Sequence, residues 1–431
     1  MRFRSALFCV VLFLTTAVRA ADALGDYVAK PDAAFAWKVA EQRETNNCSV
    51  ARLELTSQTW RGQAWQHQML VVRPAQVRNP DIAFLFITGD GDVSKLFNLL
   101  KTLAERAGAV AAAVNKVPNQ PLYDGRKEDA LIAYTFDQFL KTGDREWPLL
   151  FPMTKSAVRA MDAVQAFAPQ NGGAKPARFV VAGASKRGWT TWLTAAADPR
   201  VSGIAPMVID MLNMKAQTKW AQQVYGKQSE KIGDYTNLNL AERMDDPRMV
   251  ELRSWVDPYS YRARYTLPKL LLLGTNDPYW TVDSLRHYWA DLPEPKLVFQ
   301  TPNAGHDLAG GKDATQTMAA FFQMIADHEE LPKVTWTRSA KEDAALEMSV
   351  TPAAKTFRLW TADSPDRDLR NDRWSSVKVP SNPGRKASAT VERPAQGYRA
   401  YLMEAEFTTK AGQTYRLSTE ARVLPDTTPK P

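Results

Sequence analysis

Cysteine and histidine are scarce in this sequence, and both scarcities limit the chemistry that it supports. The 431 residues include two cysteines and four histidines. Cys9 lies in an apolar run at the start of the chain, so Cys48 has no partner beyond that run and no disulfide framework is expected. The sequence contains no H-E-x-x-H or paired-cysteine metal spacing, and Gly305 to Lys312 misses the phosphate-loop spacing by one residue. The sequence therefore predicts neither a metal nor a cofactor.

Long apolar runs are also missing after the first twenty residues. Residues 1–20 combine a basic start, the apolar run Ala6–Leu14 and a small residue at Ala20. This is the pattern of a secretory signal peptide, with cleavage expected after Ala20. No later segment is apolar enough to cross a bilayer, so no integral membrane span is expected. The predicted location is therefore secreted or periplasmic.

The charge of the chain gives little indication of a partner. The formal net charge is +8, and three arginines would leave with the signal peptide. The remaining surplus is spread along the chain, and no block of basic and aromatic residues is typical of nucleic-acid binding. The expected partner is therefore a small-molecule or peptide substrate and not a nucleic acid.

From about Leu53 to Ile325, short aliphatic runs alternate with longer segments of helical periodicity. This order is typical of a mostly parallel sheet flanked by helices. We assign residues 21–331 to this α/β body, with predicted helices at Ser94–Ala107, Thr154–Ala168 and Thr315–His328. The predicted core strands are Leu53–Thr59, Trp65–Arg73, Ile82–Ile87, Ala109–Val114, Arg178–Ala182, Gly203–Ile209, Lys269–Leu273 and Lys296–Gln300.

The connection between the strands at Gly203–Ile209 and Lys269–Leu273 is longer than a simple crossover needs. We interpret residues 211–264 as a lid insertion. Aromatic residues in this segment either wall a substrate pocket or pack the lid onto the body, and the second role is the commoner one for any single aromatic residue. They are Trp220, Tyr225, Tyr235, Trp255, Tyr259 and Tyr261.

The pattern changes after the helix predicted at Thr315–His328. Short strand-like segments separated by turn residues replace the helices, which is typical of a β-sandwich. Residues 332–431 are therefore predicted to form a C-terminal all-β sandwich domain. Its predicted strands are Val334–Trp336, Leu346–Val350, Thr356–Trp360, Ser376–Val379, Ala400–Phe407 and Tyr415–Val423.

Ser185 lies where a predicted strand runs into a predicted helix, in Gly183-Ala184-Ser185-Lys186-Arg187-Gly188. Acyl transfer by serine needs an exposed hydroxyl, and a sharp turn of this kind exposes one. The Lys186 N–H begins the helix and would point at an oxyanion. Arg187 departs from the usual G-x-S-x-G pattern, since glycine arrives one residue later. The alternative is a buried serine in an ordinary strand-to-helix turn.

A catalytic serine needs a base, and His306 is the histidine best placed to serve. In chains of this fold class the order is nucleophile, acid, histidine. His306 follows the last predicted core strand in a loop, whereas the others lie on an early strand or a helix: His67, His287 and His328. A solvated loop histidine is the alternative.

Two aspartates are candidates for the acid that orients this histidine. Asp277 lies in Gly274-Thr275-Asn276-Asp277-Pro278, a strand-end loop one strand before His306. The following proline favours an extended backbone there. Asp210 ends the strand after the nucleophile strand and is the rival. We favour Asp277.

The loop Gly89-Asp90-Gly91 follows a buried strand and is the expected source of a second oxyanion donor. A simple glycine turn is the alternative there. Lys186 and Arg187 add positive charge beside the serine, which predicts binding of a carboxylate on the substrate. They are equally consistent with solvated residues at the start of a helix.

Six stretches of the sequence, three of them discussed above, match the pattern of one protein family. They are Lys116–Leu122, Glu128–Thr135, Gly183–Trp192, Gly274–Trp280, Gly305-His306 and Arg358–Ser364. Together they resemble the PhoPQ-activated pathogenicity-related protein family, and S-K-R-G-W is the most specific of them. The resemblance implies a secreted or periplasmic α/β-hydrolase fold with a Ser185, Asp277 and His306 triad. It also makes S-K-R-G, and with it Arg187, the familial form of the turn. It implies no settled substrate.

Two functions follow from these observations. The first is a serine hydrolase that acts on an ester or an amide. Lys186 directly follows Ser185, and this arrangement resembles glucuronoyl esterases, in which a basic residue directly follows the nucleophile. Esters of sugar acids are therefore one specific substrate class for the hydrolase. The second is a secreted binding or signalling protein that keeps the hydrolase scaffold with little or no catalysis.

Overall fold

The computed structural model describes residues 22–45, 47–339 and 343–429. The predicted signal peptide therefore lies outside the described residues. Nine strands build the central sheet of the described chain, and they are β1 (Ala36–Glu44), β2 (Cys48–Trp60), β3 (Gln63–Pro74), β4 (Ile82–Ile87), β5 (Val110–Val114), β6 (Arg178–Ala184), β7 (Val201–Met207), β8 (Lys269–Gly274) and β9 (Lys296–Thr301).

The sheet combines an antiparallel start with a parallel core. Its strand order is β1-β2-β3-β5-β4-β6-β7-β8-β9. The pairs from β1 to β5 are antiparallel, and the pairs from β5 through β9 are parallel. Because parallel strands end at one edge of a sheet, the loops after β4, β6, β8 and β9 gather at that edge.

Helices cover both faces of this sheet. The α-helices of the described residues are α1 (Ala23–Ala29), α2 (Phe97–Ala107), α3 (Glu128–Thr142), α4 (Leu150–Phe167), α5 (Lys186–Ala197), α6 (Met214–Tyr225), α7 (Gly233–Thr236), α8 (Pro247–Val256) and α9 (Lys312–Ala326). Short 3₁₀ helices lie at Val93–Leu96, Ala168–Asn171, Glu230–Ile232, Pro258–Arg264, Ser284–His287, Trp289–Asp291 and Leu308–Gly310.

Strand β6 shows why the sheet is covered on both sides. Phe179 and Val181 belong to the hydrophobic cluster that includes α4 and α5. Val180 and Ala182 belong to the cluster that includes α2 and α9. Since successive side chains of a strand point to opposite faces, a strand with apolar side chains on both faces needs two covering layers.

The C-terminal residues form two antiparallel sheets. Their strands are β10 (Lys333–Arg338), β11 (Ala344–Thr351), β12 (Thr356–Ser364), β13 (Ser375–Val379), β14 (Ser381–Asn382), β15 (Lys386–Val391), β16 (Tyr398–Thr408), β17 (Thr414–Ser418) and β18 (Arg422–Leu424). One sheet has the order β10-β11-β15-β14, and the other has the order β13-β12-β16-β17 with β18 paired to β16. Met348 of the first sheet and Phe357 and Met403 of the second are buried in one hydrophobic cluster, which also includes Phe322 of α9.

The predicted fold class is confirmed: a mostly parallel sheet with flanking helices precedes antiparallel sheets. Every predicted core strand is present. The strand predicted at Gly203–Ile209 ends early at Met207, because Val208 has a φ of 44°, which extended structure does not accommodate. The strand predicted at Tyr415–Val423 is interrupted, because Glu420 is buried there against two arginine side chains, Arg338 and Arg422.

Several elements of the structure were not predicted, among them β1, β15 and α3. Almost every residue of β1 is exposed, since this strand lies at the sheet edge and pairs with β2 alone among the described residues. Its sequence therefore lacks the apolar alternation of a half-buried strand. The helix predicted at Ser94–Ala107 begins with a 3₁₀ turn and becomes α-helical at Phe97.

Within the described ranges, no helix is both long enough and apolar enough to cross a membrane.

Candidate active site

Ser185 occupies a strained turn between β6 and α5. Its φ is 58° and its ψ is −127°. A positive φ is costly for a residue other than glycine, and it persists only where the surrounding structure enforces it. The Ser185 N–H donates to the Met207 carbonyl of β7 at 2.9 Å, and the Ser185 carbonyl accepts from the Trp189 N–H at 3.0 Å. This is the backbone arrangement that presents a nucleophilic serine above a sheet.

Gly188 explains how the turn tolerates an arginine at position 187. A Cβ atom at Gly188 would lie 2.7 Å from Ile209 Cγ2 and 2.9 Å from the Met207 carbonyl oxygen. The helix therefore approaches the neighbouring strand closely at Gly188, one residue later than the second glycine of the G-x-S-x-G form of the turn. Position 187 is free to carry a side chain.

Asp277 and His306 are in direct contact. They follow β8 and β9, whose ends lie at the same sheet edge as the end of β6. His306 Nδ1 lies 2.8 Å from Asp277 Oδ2, and Asp277 Oδ1 accepts from the Tyr279 N–H at 3.0 Å. An acceptor at Nδ1 favours the tautomer that leaves Nε2 unprotonated. In the part of the chain that the structure describes, His306 Nε2 is buried and has no hydrogen-bond partner.

The rival acid, Asp210, has a different neighbour. Its Oδ1 accepts from the Tyr288 hydroxyl at 2.7 Å. Burial raises the pKa of Asp210 to about 8, and the nearby charge of Asp277 adds to this effect although the Tyr288 hydroxyl opposes it. A carboxyl group that holds its proton at neutral pH does not supply the negative charge that orients a histidine base.

The other three histidines have local contacts of their own. His67 lies 2.9 Å from Ser57 Oγ and 2.9 Å from the Asn115 carbonyl oxygen, and burial lowers its pKa to about 4. Burial likewise lowers the pKa of His287 to about 4. His328 Nε2 lies 3.1 Å from Arg178 Nη2.

Lys186 and Arg187 are paired with two carboxylates at the start of α3. Lys186 Nζ lies 2.9 Å from Asp129 Oδ2 and 3.1 Å from Glu128 Oε2. Arg187 donates to both oxygens of Glu128, at 2.6 and 2.7 Å. Both basic residues are buried. We call these four side chains the basic-pair cluster, and its charges balance within the protein.

The pKa values in the basic-pair cluster follow from this pairing. Burial alone would raise the pKa of Glu128, but Arg187 and Lys186 hold it at about 2. Burial alone would lower the pKa of Lys186, but Asp129 and Glu128 raise it above its ordinary value. Glu128 and Lys186 are therefore both charged at neutral pH. Sequence reasoning quoted Glu128 and Asp129 as part of a motif and missed this role.

The loop predicted to supply an oxyanion donor contacts the same cluster. A Cβ atom at Gly89 would lie 2.3 Å from Arg187 Nη2, so the guanidinium occupies the space that a side chain would need. Asp90 is exposed and accepts from Gln120 Nε2 at 3.0 Å. The same amide donates to Glu128 at 2.6 Å. Gly89 and Asp90 thus lie beside the start of α5.

A cleft with a volume of about 120 Å³ begins at Ser185. Ser185 and Lys186 line it, and Tyr279 lines it while stacking on the His306 imidazole, with ring centroids 4.3 Å apart. The other predicted site residues lie outside its described lining: Gly89, Asp90, Arg187, Asp277 and His306. Tyr279 therefore links the cleft to the Asp277 and His306 pair.

Of the six lid aromatics, Tyr235 alone contributes to the described lining of this cleft. Its hydroxyl donates to Asp129 at 3.0 Å. The others support the lid, for example Trp255 against Phe139 at 5.1 Å and Tyr225, whose hydroxyl donates to the Trp280 carbonyl. The commoner of the two predicted roles therefore holds for five of the six.

The C-terminal segment contacts the two loops that carry Asp277 and His306. Asn303 Nδ2 donates to the Trp374 carbonyl at 2.9 Å, and its Oδ1 accepts from the Trp374 N–H at 2.8 Å. Asn276 donates to three backbone carbonyls at 2.7 to 3.2 Å, and they are those of Leu369, Arg370 and Asp372. We call these bonds the C-terminal brace.

Among residues 22–45, 47–339 and 343–429, no three His, Cys, Asp or Glu side chains are grouped so as to hold a metal ion.

Known proteins resemble this chain in sequence and in fold. Residues 24–370 match the family described as PhoPQ-activated pathogenicity-related protein. Autocrine proliferation repressor protein A of Dictyostelium discoideum is 31% identical over 471 residues, which cover 99% of this chain and 95% of that protein.

Two solved esterase structures have similar architecture. One is the acetyl xylan esterase of Paenibacillus sp. R4, at 16% identity and a TM-score of 0.49, covering 70% of this chain and 90% of that chain. The other is acetyl xylan esterase 1 of Thermoanaerobacterium sp. JW/SL YS485, at 15% identity and a TM-score of 0.48, covering 69% and 92%. The family match over residues 24–370 shows that the chain is a member of the PhoPQ-activated pathogenicity-related protein family, and its fold is a mostly parallel sheet flanked by helices.

Proposed function

We propose that this protein is an exported serine hydrolase that cleaves an ester or amide bond. Ser185 is the nucleophile, His306 is its base and Asp277 orients His306. The observation that carries the proposal is the 2.8 Å contact between Asp277 and His306 Nδ1, which leaves a buried Nε2 without a described partner. The strained turn at Ser185 supports the same assignment. Export rests on the signal-peptide pattern of residues 1–20.

The proposed reaction has two stages. His306 Nε2 removes the proton of Ser185 Oγ while that oxygen attacks the carbonyl carbon of the substrate. The imidazolium, stabilised by Asp277, then donates this proton to the departing alcohol or amine as the bond to the acyl carbon breaks. Water attacks the acyl-serine in the same way, which releases the acid and restores the Ser185 hydroxyl.

Two backbone groups are the proposed oxyanion donors. The Lys186 N–H is the first amide of α5, and the first amides of a helix lack intrahelical acceptors. The Gly89-Asp90 loop supplies the second donor, and the contact between Gly89 and the Arg187 side chain supports its position beside the turn. Arg187, with its bidentate bond to Glu128, then acts as a positioning residue for this loop.

A paired substrate panel tests the proposal. Purified protein is assayed on aryl esters and on peptide anilides, beside Ser185→Ala and the control Ser202→Ala, whose hydroxyl donates to the Phe179 carbonyl in β6. We expect turnover on at least one panel, its loss in Ser185→Ala and its retention in Ser202→Ala. Turnover that survives Ser185→Ala would refute the mechanism.

The name of the Dictyostelium relative, a proliferation repressor, favours one second candidate. This candidate is a secreted binding or signalling protein that uses the hydrolase scaffold without turnover. It predicts that folded protein is inactive on both panels.

A further inference from the structure

The cleft that begins at Ser185 has an apolar wall. Four methionines face it from the lid and its approach, together with aliphatic residues of α8, and they are Met211, Met214, Met244, Met249, Leu252 and Val256. Methionine side chains are flexible and polarisable, so they adapt to apolar ligands of irregular shape. We infer that this cleft binds the apolar acyl chain of the substrate, so that the substrate class is an ester of an aliphatic carboxylic acid. This inference rests on the proposed role of Ser185.

Two of the three charged residues that line the cleft are paired with each other. The charged residues are Asp129, Lys186 and Arg253. Asp129 and Lys186 pair at 2.9 Å, and Asp129 also accepts from Tyr235. Arg253 Nη2 donates to the Met244 carbonyl at 2.9 Å, and its Nε has no hydrogen-bond partner among the described residues. A carboxylate on the acyl chain would therefore lose its hydration along the apolar wall, and Arg253 is the one cation of the described lining that it would meet there without a carboxylate partner.

The cleft is not an ordinary part of the core. Protein interiors are close-packed and contain few voids larger than a water molecule. Side chains around an apolar space lose van der Waals contacts wherever no neighbouring atoms fill it. Leu252 and Val256 are fully buried, yet they border this open space. An apolar ligand would restore those contacts.

A matched series of esters tests the inference. The substrates are p-nitrophenyl acetate, p-nitrophenyl octanoate and the p-nitrophenyl monoester of octanedioic acid, which adds a carboxylate to a chain of equal length. Each kcat/KM is divided by the spontaneous hydrolysis rate of the same ester. We expect octanoate to exceed acetate, and to exceed the carboxylated ester, by about tenfold or more in each case. Equal rates for octanoate and acetate would overturn the inference, and so would a preference for the carboxylated ester.

Two variants on one helix test whether the acyl chain binds in the cleft. Ala221 of α6 lines the cleft, whereas Ala216 of the same helix lies outside its described lining. Ala221→Phe should lower the octanoate-to-acetate ratio by about tenfold, and Ala216→Phe should leave that ratio unchanged. Thermal melts establish that both variants fold. An unchanged ratio in folded Ala221→Phe would contradict the assignment of the cleft.

A binding measurement separates this inference from the catalytic proposal. Methyl octyl ketone, which is not cleaved, is titrated calorimetrically into folded Ser185→Ala protein, with acetone as the control. Selective binding of the long ketone supports the apolar cleft even if the wild type proves inactive on every ester. Turnover by Ser185 without such binding would overturn the cleft inference and leave the catalytic proposal standing.

Discussion

The two sides of the Ser185 turn are held by different kinds of interaction. On one side the basic-pair cluster joins α5 to α3 through four charged groups. On the other side the C-terminal brace holds the loops of Asp277 and His306 through neutral amide and backbone hydrogen bonds.

The difference determines how each side should respond to change. Removing one member of a buried charge pair leaves its partner uncompensated, which is a large cost in stability. Removing a neutral hydrogen bond costs about 0.5–1.5 kcal/mol, so its main consequence should be a shift in the position of the loop and of the side chain that the loop carries. The basic-pair cluster is therefore expected to govern stability, and the brace is expected to govern rate.

The largest effect is expected at the acid on the braced side. Asp277→Asn keeps the shape of the side chain but removes the charge that orients and stabilises His306. We expect kcat to fall about a thousandfold. Asp210→Asn is the matched control, because Asp210 bonds to Tyr288 and not to His306. Steady-state kinetics on the best ester measures both, and an equal loss in the two variants would remove Asp277 from its assigned role.

The basic-pair cluster should show its effect in stability and not mainly in rate. Glu128→Gln leaves Lys186 and Arg187 short of one carboxylate, and we expect a loss of about 2 kcal/mol in the free energy of unfolding. This is less than for a fully buried pair, because the Glu128 side chain is 36% exposed. Glu54→Gln, which removes an exposed pair with Lys38, should cost at most about 0.5 kcal/mol. Urea unfolding measures both.

The stability that Glu128 contributes depends on pH, and the direction of this dependence follows from its pKa. The folded pKa of Glu128 is about 2, below its ordinary value of 4.5. Its stabilising contribution is therefore complete above the unfolded pKa and is lost as the pH falls through the folded value. The stability difference between wild type and Glu128→Gln should shrink between pH 4.5 and pH 2. A difference that stays constant over this range would rule out the ionic origin.

The brace should affect rate more than stability. Asn276→Ala removes the donor to the C-terminal carbonyls and frees the loop next to Asp277, so we expect about a tenfold loss in kcat with little change in KM. Asn79→Ala is the control, since Asn79 donates to the Ala107 carbonyl at 2.8 Å in another part of the fold. Equal kcat values for Asn276→Ala and Asn79→Ala would show that the brace has no role in positioning.

At Asp210 the expected effect is a change in stability with pH. Its folded pKa of about 8 lies above its ordinary value of 3.8. The unfolded chain therefore releases a proton that the folded chain keeps, so the wild type loses stability as the pH rises between these values. The asparagine of Asp210→Asn does not titrate. The melting temperature of this variant minus that of the wild type should therefore increase from about pH 4 to pH 8 and stay constant above pH 8. Calorimetry at four pH values tests this.

The sequence was most informative where chain order and apolar runs determine the structure. Strands β2 to β9 of the central sheet were predicted, and the buried parallel strands among them are short continuous apolar runs. Asp277 and His306 were paired from their order along the chain, and their side chains are 2.8 Å apart. That contact required no knowledge of long-range packing, since neighbouring parallel strands bring their end loops together.

The long-range ionic contacts could not be predicted from the sequence. Glu128 and Arg187 are 59 residues apart, and neither helix pattern reveals that the two side chains meet. The expected contact between the basic pair and a substrate carboxylate therefore rested on the local sequence alone. The C-terminal brace was equally hidden, because its acceptors are backbone carbonyls, which every residue type supplies. Among the lid aromatics, composition does not separate Tyr235, which faces the cleft, from Trp255, which packs against Phe139.

The central claim is that Ser185 is activated by His306, and covalent labelling tests it most directly. Folded wild-type protein is treated with a fluorophosphonate, and the adduct is located by mass spectrometry. We predict a single adduct on Ser185, abolished in Ser185→Ala and slowed at least about a hundredfold in His306→Ala. An adduct on a different serine, or a rate that is unchanged in His306→Ala, would contradict the claim.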